Sequence, residues 1–356
     1  MASSIPLTAQ WPTTVDSAIF VDYGLYPYLV VDEEEQSVIV IYIANADQMK
    51  AKKYDRYGYP VWGGNSVLLT EASHMFGLNL SNLGNQWGAV VSDDSGGAVI
   101  CWKDYRNSTF DWMGFPENNE IYIQRVDASG EVRFGTNGIR ISSEASSGWH
   151  KLGDMKPDYN GGFVVGYSDF DSSRSYCRRI ELNGDSLWEN TYDGGYLDIN
   201  ATDVSGNVFI SFGANIKRQK LDLEGNHLWS DTLLGRIPDS REYRHGGAFS
   251  DGNGGVIGVG PSVLLVNRVD SSGQYVFGEN GIDLGFGQQG LIGYASDYSG
   301  GIYVSWTSGA SRIQRVNKDG VIVFDPDGIK VAQDSAQNSD NAQKGEQRIS
   351  GRLSDR

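Results

Sequence analysis

The chain has 356 residues, 39% apolar and 12% aromatic, which is enough for a substantial core, and a formal charge of -16. That charge repels phosphate backbones and argues against a nucleic-acid partner. No apolar run reaches membrane-spanning length, so no membrane span is expected.

Residues 1–26 form an N-terminal arm outside the regular pattern. MASSIPLTAQW has no basic region followed by an apolar segment, so no signal peptide is visible. Ser4–Thr8 (SIPLT) echoes Ser66–Thr70 (SVLLT). Residues 1–26 are therefore either a strand that closes a ring of sheets or a loose N-terminal arm.

From residue 27 to 332 one pattern occurs six times. A basic residue stands five before a glycine, and an aromatic four after it. The glycines are Gly58, Gly130, Gly184, Gly225, Gly273 and Gly320. The basic residues are Lys53, Arg125, Arg179, Lys220, Arg268 and Arg315. The aromatics are Trp62, Phe134, Trp188, Trp229, Phe277 and Phe324. Each copy opens with another apolar hairpin, turning at sequences such as Asp93-Asp94-Ser95-Gly96-Gly97. Glycine supplies the positive φ of such turns. The first copy carries Glu33-Glu34-Glu35-Gln36 there, which reads as a solvated tip. Four strands repeated six times predict an all-β, six-bladed β-propeller of four-stranded antiparallel blades. The blades fall at 27–70, 88–142, 150–194, 197–235, 243–285 and 291–332. Residues 333–356 hold little that can be buried and read as a disordered tail or a linker to an adjacent module.

Features present in every copy belong to the scaffold. The aromatic is expected to fill the wedge between blades. The basic residue, and the acid or amide two positions on, are expected to tie strands together. Cys101 and Cys177 fall in strands of different copies and read as buried thiols, a disulfide being the lesser alternative.

The signature runs D-x-x-G-G, an apolar strand, then Q-R-V-D-x-x-G-x-x-x-W/F-G. It is seen in Asp93–Trp102 with Gln124–Ile139, and in Asp297–Trp306 with Gln314–Ile329. It resembles the repeat of bacterial secreted or cell-surface β-propeller proteins, over about 300 residues. The resemblance implies an extracellular or cell-surface location beside other modules, and no defined activity. The Asp55–Trp62 segment is also similar to the tryptophan-docking repeat of quinoprotein-like propellers. Its acid-to-glycine spacing is one residue shorter, and no vicinal cysteine pair accompanies it. No quinone or other cofactor is therefore expected. A sialidase-type box is nearly met at Ser92–Gly96, but Val99 takes the tryptophan place.

Function is expected where the copies differ, because loops on a rigid frame carry it. The long departures are Glu71–Trp87, Lys103–Asn119, Ser142–His150 and Leu234–His245. In a meander these links share one face. They carry Asp104, Tyr105, Arg106, Trp112, Trp149, His150, Tyr243, Arg244 and His245, the candidate ligand-binding residues. Aromatics beside carboxylates and amides stack on sugar rings or anchor a protein partner. The competing reading is that they fold the loops back on the frame. His74, His150 and His245 share that face, but no carboxylate stands beside them, and no metal is expected. There is no G-x-S-x-G, P-loop or dinucleotide fingerprint. If the protein is an enzyme, Asp104, Asp169, Asp171 or His150 is the acid or base. Three readings follow: a surface module binding a glycan or protein, a carbohydrate-active hydrolase or lyase with an axial pocket, and an interaction scaffold.

Overall fold

The computed structural model describes residues 20–32, 35–72, 88–113, 116–142, 148–213, 217–229, 233–234, 247–260, 264–285, 291–307 and 310–333. Among them are strands and turns and no helix. The first sheet holds β1 (Leu25–Asp32), β2 (Ser37–Asn45), β3 (Gln48–Asp55) and β4 (Val67–Glu71). The second holds β5 (Gly88–Ser92), β6 (Ala98–Asp104), β7 (Glu120–Val126) and β8 (Ile139–Arg140). The third holds β9 (His150–Pro157), β10 (Gly162–Asp169), β11 (Arg174–Glu181) and β12 (Ser186–Asp193). The fourth holds β13 (Leu197–Thr202), β14 (Val208–Phe212), β15 (Lys217–Leu221) and β16 (Leu233–Leu234). The fifth holds β17 (Gly247–Ser250), β18 (Val256–Val259), β19 (Leu265–Val269) and β20 (Ile282–Asp283). The sixth holds β21 (Leu291–Ser296), β22 (Ile302–Thr307), β23 (Ala310–Val316) and β24 (Ile329–Gln333). Every sheet is an antiparallel meander in chain order. β1 starts two residues inside the span expected for the arm, because Leu25 already pairs with Ile43.

Turn-capping aspartates build most of the hairpins. Asp93 Oδ1 accepts the Ser95 and Gly97 amides, at 3.0 and 2.6 Å. Asp158, Asp203, Asp251 and Asp297 repeat this in their own sheets. In the second turn Asp127 Oδ1 accepts the Ser129 and Glu131 amides. Asn317 does the same for Asp319 and Val321, since only a carbonyl oxygen is required.

The core lies between successive sheets. Ile39, Ile41 and Ile43 of β2 pack with Ile100 and Trp102 of β6. Val99 and Cys101 of β6 pack with Phe163, Val165 and Tyr167 of β10. Val164 and Cys177 meet Ile199 and Ile210 at the next junction. Both cysteines are free and buried.

The recurring aromatic and cation pin these junctions. The Trp62 ring lies on Gly130 and donates its indole N–H to the Ala128 carbonyl at 2.8 Å. Phe134 lies on Gly184, Trp188 on Gly225, Trp229 on Gly273 and Phe277 on Gly320. Arg125 holds Asp93 in its own sheet and donates through Nη1 to the Leu182 carbonyl of the next. Arg179 and Arg268 repeat this with Asp158 and Leu223, and with Asp251 and Lys318. So the cation's acid is the first-turn aspartate, and the residue two positions on caps the second turn, except in the third copy, where Asn183 Oδ1 accepts the Asp185 amide instead. Glu35 and Gln36 of the first copy's turn are exposed, as expected of a solvated tip, while Glu33 and Glu34 lie outside the described residues. Glu35 ion-pairs with Lys53, whose side chain is buried, and Lys53 donates to the Gly96 carbonyl of the second sheet. A buried ammonium requires a partner, and Glu35 supplies it where other copies use aspartate.

Candidate functional site

The end of β6, the start of β7, the start of β9 and the end of β10 lie at one edge of adjoining sheets. Asp104, at the end of β6, is buried. Its carboxylate accepts Trp102 Nε1 at 2.7 Å and the Arg106 amide and Nε at 2.9 Å each. Burial raises its pKa, and the Arg106 and Trp102 hydrogen bonds oppose that rise. Arg106 also donates to the Asn137 carbonyl at 3.2 Å and covers the Tyr122 ring at 4.2 Å. This acid and base are saturated by each other and by the frame.

Beyond Arg106 the chain forms a short ribbon. Glu117 N–H donates to the Thr109 carbonyl at 2.8 Å, and Thr109 Oγ1 to Glu117 Oε2 at 2.6 Å. Phe110 bridges to Pro116. Asn118 N–H donates to Ser108 Oγ, and Asn107 to Glu120. These bonds tie the two arms of the ribbon together. Trp112 there is 90% exposed and Met113 56%. Met113 N–H is capped by Asp111 Oδ1.

At the ribbon's base, Tyr105 is buried edge-on against Trp149, with ring centroids 6.4 Å apart. Trp149 is 42% exposed, and Phe170 beside it 52%. Phe170 N–H donates to the Trp149 carbonyl, which ties the two loops together. His150 is buried. Its Nδ1 lies 2.6 Å from the Asn119 carbonyl, and Asn119 exchanges two further bonds with the His150 backbone. Nδ1 is therefore the protonated nitrogen, donating to that carbonyl. Asp169 is buried and caps the turn after β10, accepting the Asp171 amide and Ser172 Oγ. Asp171 is exposed.

The structure thus brings Tyr105, Trp149, His150 and Asp169 together, with Asp104 and Arg106 behind them and Trp112 at the projecting tip. Tyr243, Arg244, His245 and His74 lie outside the described residues. Among the described residues no group of three or more His, Cys, Asp or Glu could hold a metal. Sequence reasoning missed Phe170 and the Asn119 clamp. Phe170 was discoverable: it is a large apolar residue in the link after β10, beside two aspartates. Asn119 carries no such signal, because its side chain's partners are the backbone N–H and carbonyl of His150.

No protein-family model and no curated protein matches this sequence. Solved structures do resemble it. Puromycin hydrolase is 12% identical with a TM-score of 0.50, covering 90% of this chain and 47% of that one. The chain therefore spans about half the length of that protein. The Dos1 propeller is 13% identical at 0.49, covering 81% and 66%. A quinonprotein alcohol dehydrogenase-like protein from Bacteroides thetaiotaomicron is 12% identical at 0.47, covering 89% and 68%. The neighbours are β-propeller proteins, and at such identities the likeness concerns the fold alone.

Proposed function

We propose that the chain is a six-bladed β-propeller serving as an extracellular or cell-surface binding module, with its glycan or protein ligand held at the ribbon edge. The observation that carries this reading is Trp112. A ribbon whose arms are bonded to each other leaves a large aromatic in water instead of folding it onto the frame. A solvent-facing indole is a ready anchor for a sugar ring or an apolar partner surface. Trp149 and Phe170 extend the aromatic surface at the ribbon's base.

The hydrolase or lyase reading has less support. Asp104 is consumed by Arg106 and Trp102, Asp169 by its turn, and His150 Nδ1 by Asn119. Extracytoplasmic placement draws its support from the repeat signature and is tested by fractionating the native cells.

The binding test uses a glycan array and a protein pull-down with the unaltered chain, Trp112→Ala and Trp149→Ala. Loss of a captured ligand in Trp112→Ala, with the unfolding temperature retained, supports the site. Ligand capture unchanged in both variants rejects it.

A further inference from the structure

The third copy lacks a device that shortens the last strand elsewhere. After its aromatic, the second copy runs Gly135-Thr136-Asn137-Gly138, with Gly135 and Gly138 at φ +70° and +74°. Gly63 after Trp62, Gly278 and Gly281 after Phe277, and Gly328 after Phe324 also have positive φ. Such glycines turn the chain out of the ladder between the aromatic and the last strand. In the third copy Trp188 is followed by Glu189-Asn190-Thr191-Tyr192, and the next glycine is Gly194. β12 therefore leaves its turn and runs unbroken for 8 residues. Among the described residues β8, β16 and β20 have 2 residues each, and β4 and β24 have 5.

β12 is also an open edge. The first strands of neighbouring sheets meet one another: the Tyr28 hydroxyl of β1 donates to the Gly88 carbonyl of β5 at 3.0 Å. A Cβ on Gly153 of β9 would likewise run into the Leu197 carbonyl of β13. β12, the last strand of its meander, pairs with β11 alone. The phase of that ladder is set by Gly194 N–H, which donates to the Ser173 carbonyl at 2.8 Å. Bonded and non-bonded pairs alternate along an antiparallel ladder. Tyr192, Asn190 and Trp188 therefore spend their backbone groups on Ser175, Cys177 and Arg179, while Glu189, Thr191 and Asp193 turn theirs outward. Neither proline nor lysine blunts this edge.

The side chains say what the edge accepts. Trp188, Asn190 and Tyr192 face the fourth sheet, where they meet Gly225 and His227. Glu189, Thr191 and Asp193 share the other face and are exposed. Glu189 is shared with Arg178, and Asp193 holds no ion pair among the described residues. In two copies joined antiparallel about Thr191, Glu189 of each would stand opposite Asp193 of the other, and like charges directly opposite repel. The same spacing suits lysine or arginine two positions either side of a β-branched residue.

We infer that the free edge of β12 takes up an extended, basic segment of a partner protein, which joins the third sheet as a fifth, antiparallel strand. Its backbone bonds to Glu189, Thr191 and Asp193, and its basic side chains meet the two carboxylates. This surface stands apart from the ribbon edge, and the inference does not rest on the ligand assigned there.

Fluorescence anisotropy with the full chain tests it, using a short labelled peptide with lysines two positions either side of a central threonine. Binding is expected at a Kd below about 1 mM. N-methylation of the central threonine removes the N–H that meets Thr191 and should weaken binding at least about tenfold. N-methylation of the next residue, whose N–H points away, should leave binding within about twofold. Thr191→Pro should also weaken it at least about tenfold and keep the fold, because the lost N–H belongs to the open side of the strand. The two methylated peptides are compared on the unaltered chain, so they decide the matter even if that variant misfolds. No binding, equal binding by both methylated peptides, or equal binding by a peptide with glutamates in place of the lysines overturns the inference. So does a dimer, seen by sedimentation, that Thr191→Pro dissolves, since a second copy would then hold the edge.

Discussion

The Trp188 indole of the third sheet lies on Gly225 of the fourth, where an added Cβ would come within 2.8 Å of the ring. The same indole N–H donates to the Leu223 carbonyl at 2.9 Å. One contact thus fixes both the distance and the rotation between neighbouring sheets, and it recurs at Trp62 and Trp229.

Gly225→Ala should therefore be worse than Gly161→Ala. Both glycines have positive φ, +84° and +85°. Only Gly225 has a neighbour within 4 Å. Gly161→Ala should cost about 1–2 kcal/mol from backbone strain alone. Gly225→Ala should add about 1–3 kcal/mol from overpacking against Trp188. Denaturant midpoints of the two variants decide it, and equal midpoints would show that the ring gives way.

Asp93 has two duties that substitution can separate. Oδ1 holds the turn, and Oδ2 holds Arg125. Asp93→Ala removes both and leaves Arg125 without its acid, at a cost of about 3–5 kcal/mol. Asp93→Asn keeps the turn acceptor and should lose visibly less. The difference in thermal midpoint between the two variants measures the turn, and that between Asp93→Asn and the unaltered chain measures the ion pair.

Acid stability should depend on Asp22. The Ser66 and Tyr42 hydroxyls donate to its carboxylate and hold its pKa at about 2, below the usual 3.8. A folded pKa below the unfolded one means stability present above pH 3.8 and lost as pH falls toward 2. Asp22→Asn should have a lower unfolding temperature at neutral pH. It should also respond less than the unaltered chain between those two pH values. Parallel pH profiles for the two proteins would remove this role.

Trp112→Ala should leave the fold alone. With the side chain 90% exposed, the change should stay within about 0.5 kcal/mol. Phe163→Ala, in the junction between the second and third sheets, should cost about 3–5 kcal/mol. Calorimetry on both separates a recognition aromatic from a packing one.

The regular part of the molecule could be read from the chain, because its signals are local and repeat. A turn aspartate, a glycine at positive φ and alternating apolar residues act within a few positions of one another. The expected spans accordingly match the sheets closely: the third was expected at 150–194, and its strands run from His150 to Asp193. The junction role of the aromatics was also readable. The ion pair between Glu35 and Lys53 was not, because the two stand two strands apart.

The candidate site was readable only as a set of loops. Sequence marked Asp104, Arg106, Trp112 and Trp149 alike as recognition residues. Folding divides them: the first two neutralise each other beneath the surface, while the other two present their rings to water.

By itself, then, the sequence determined the number of sheets, their order, and the residues that turn and join them, since each of these is set by neighbours along the chain or by a repeated offset. Only the tertiary structure decided which loop side chains are free to meet a ligand. A carboxylate, ring or imidazole becomes available or spent according to partners on other strands, and no spacing along the chain records those partners.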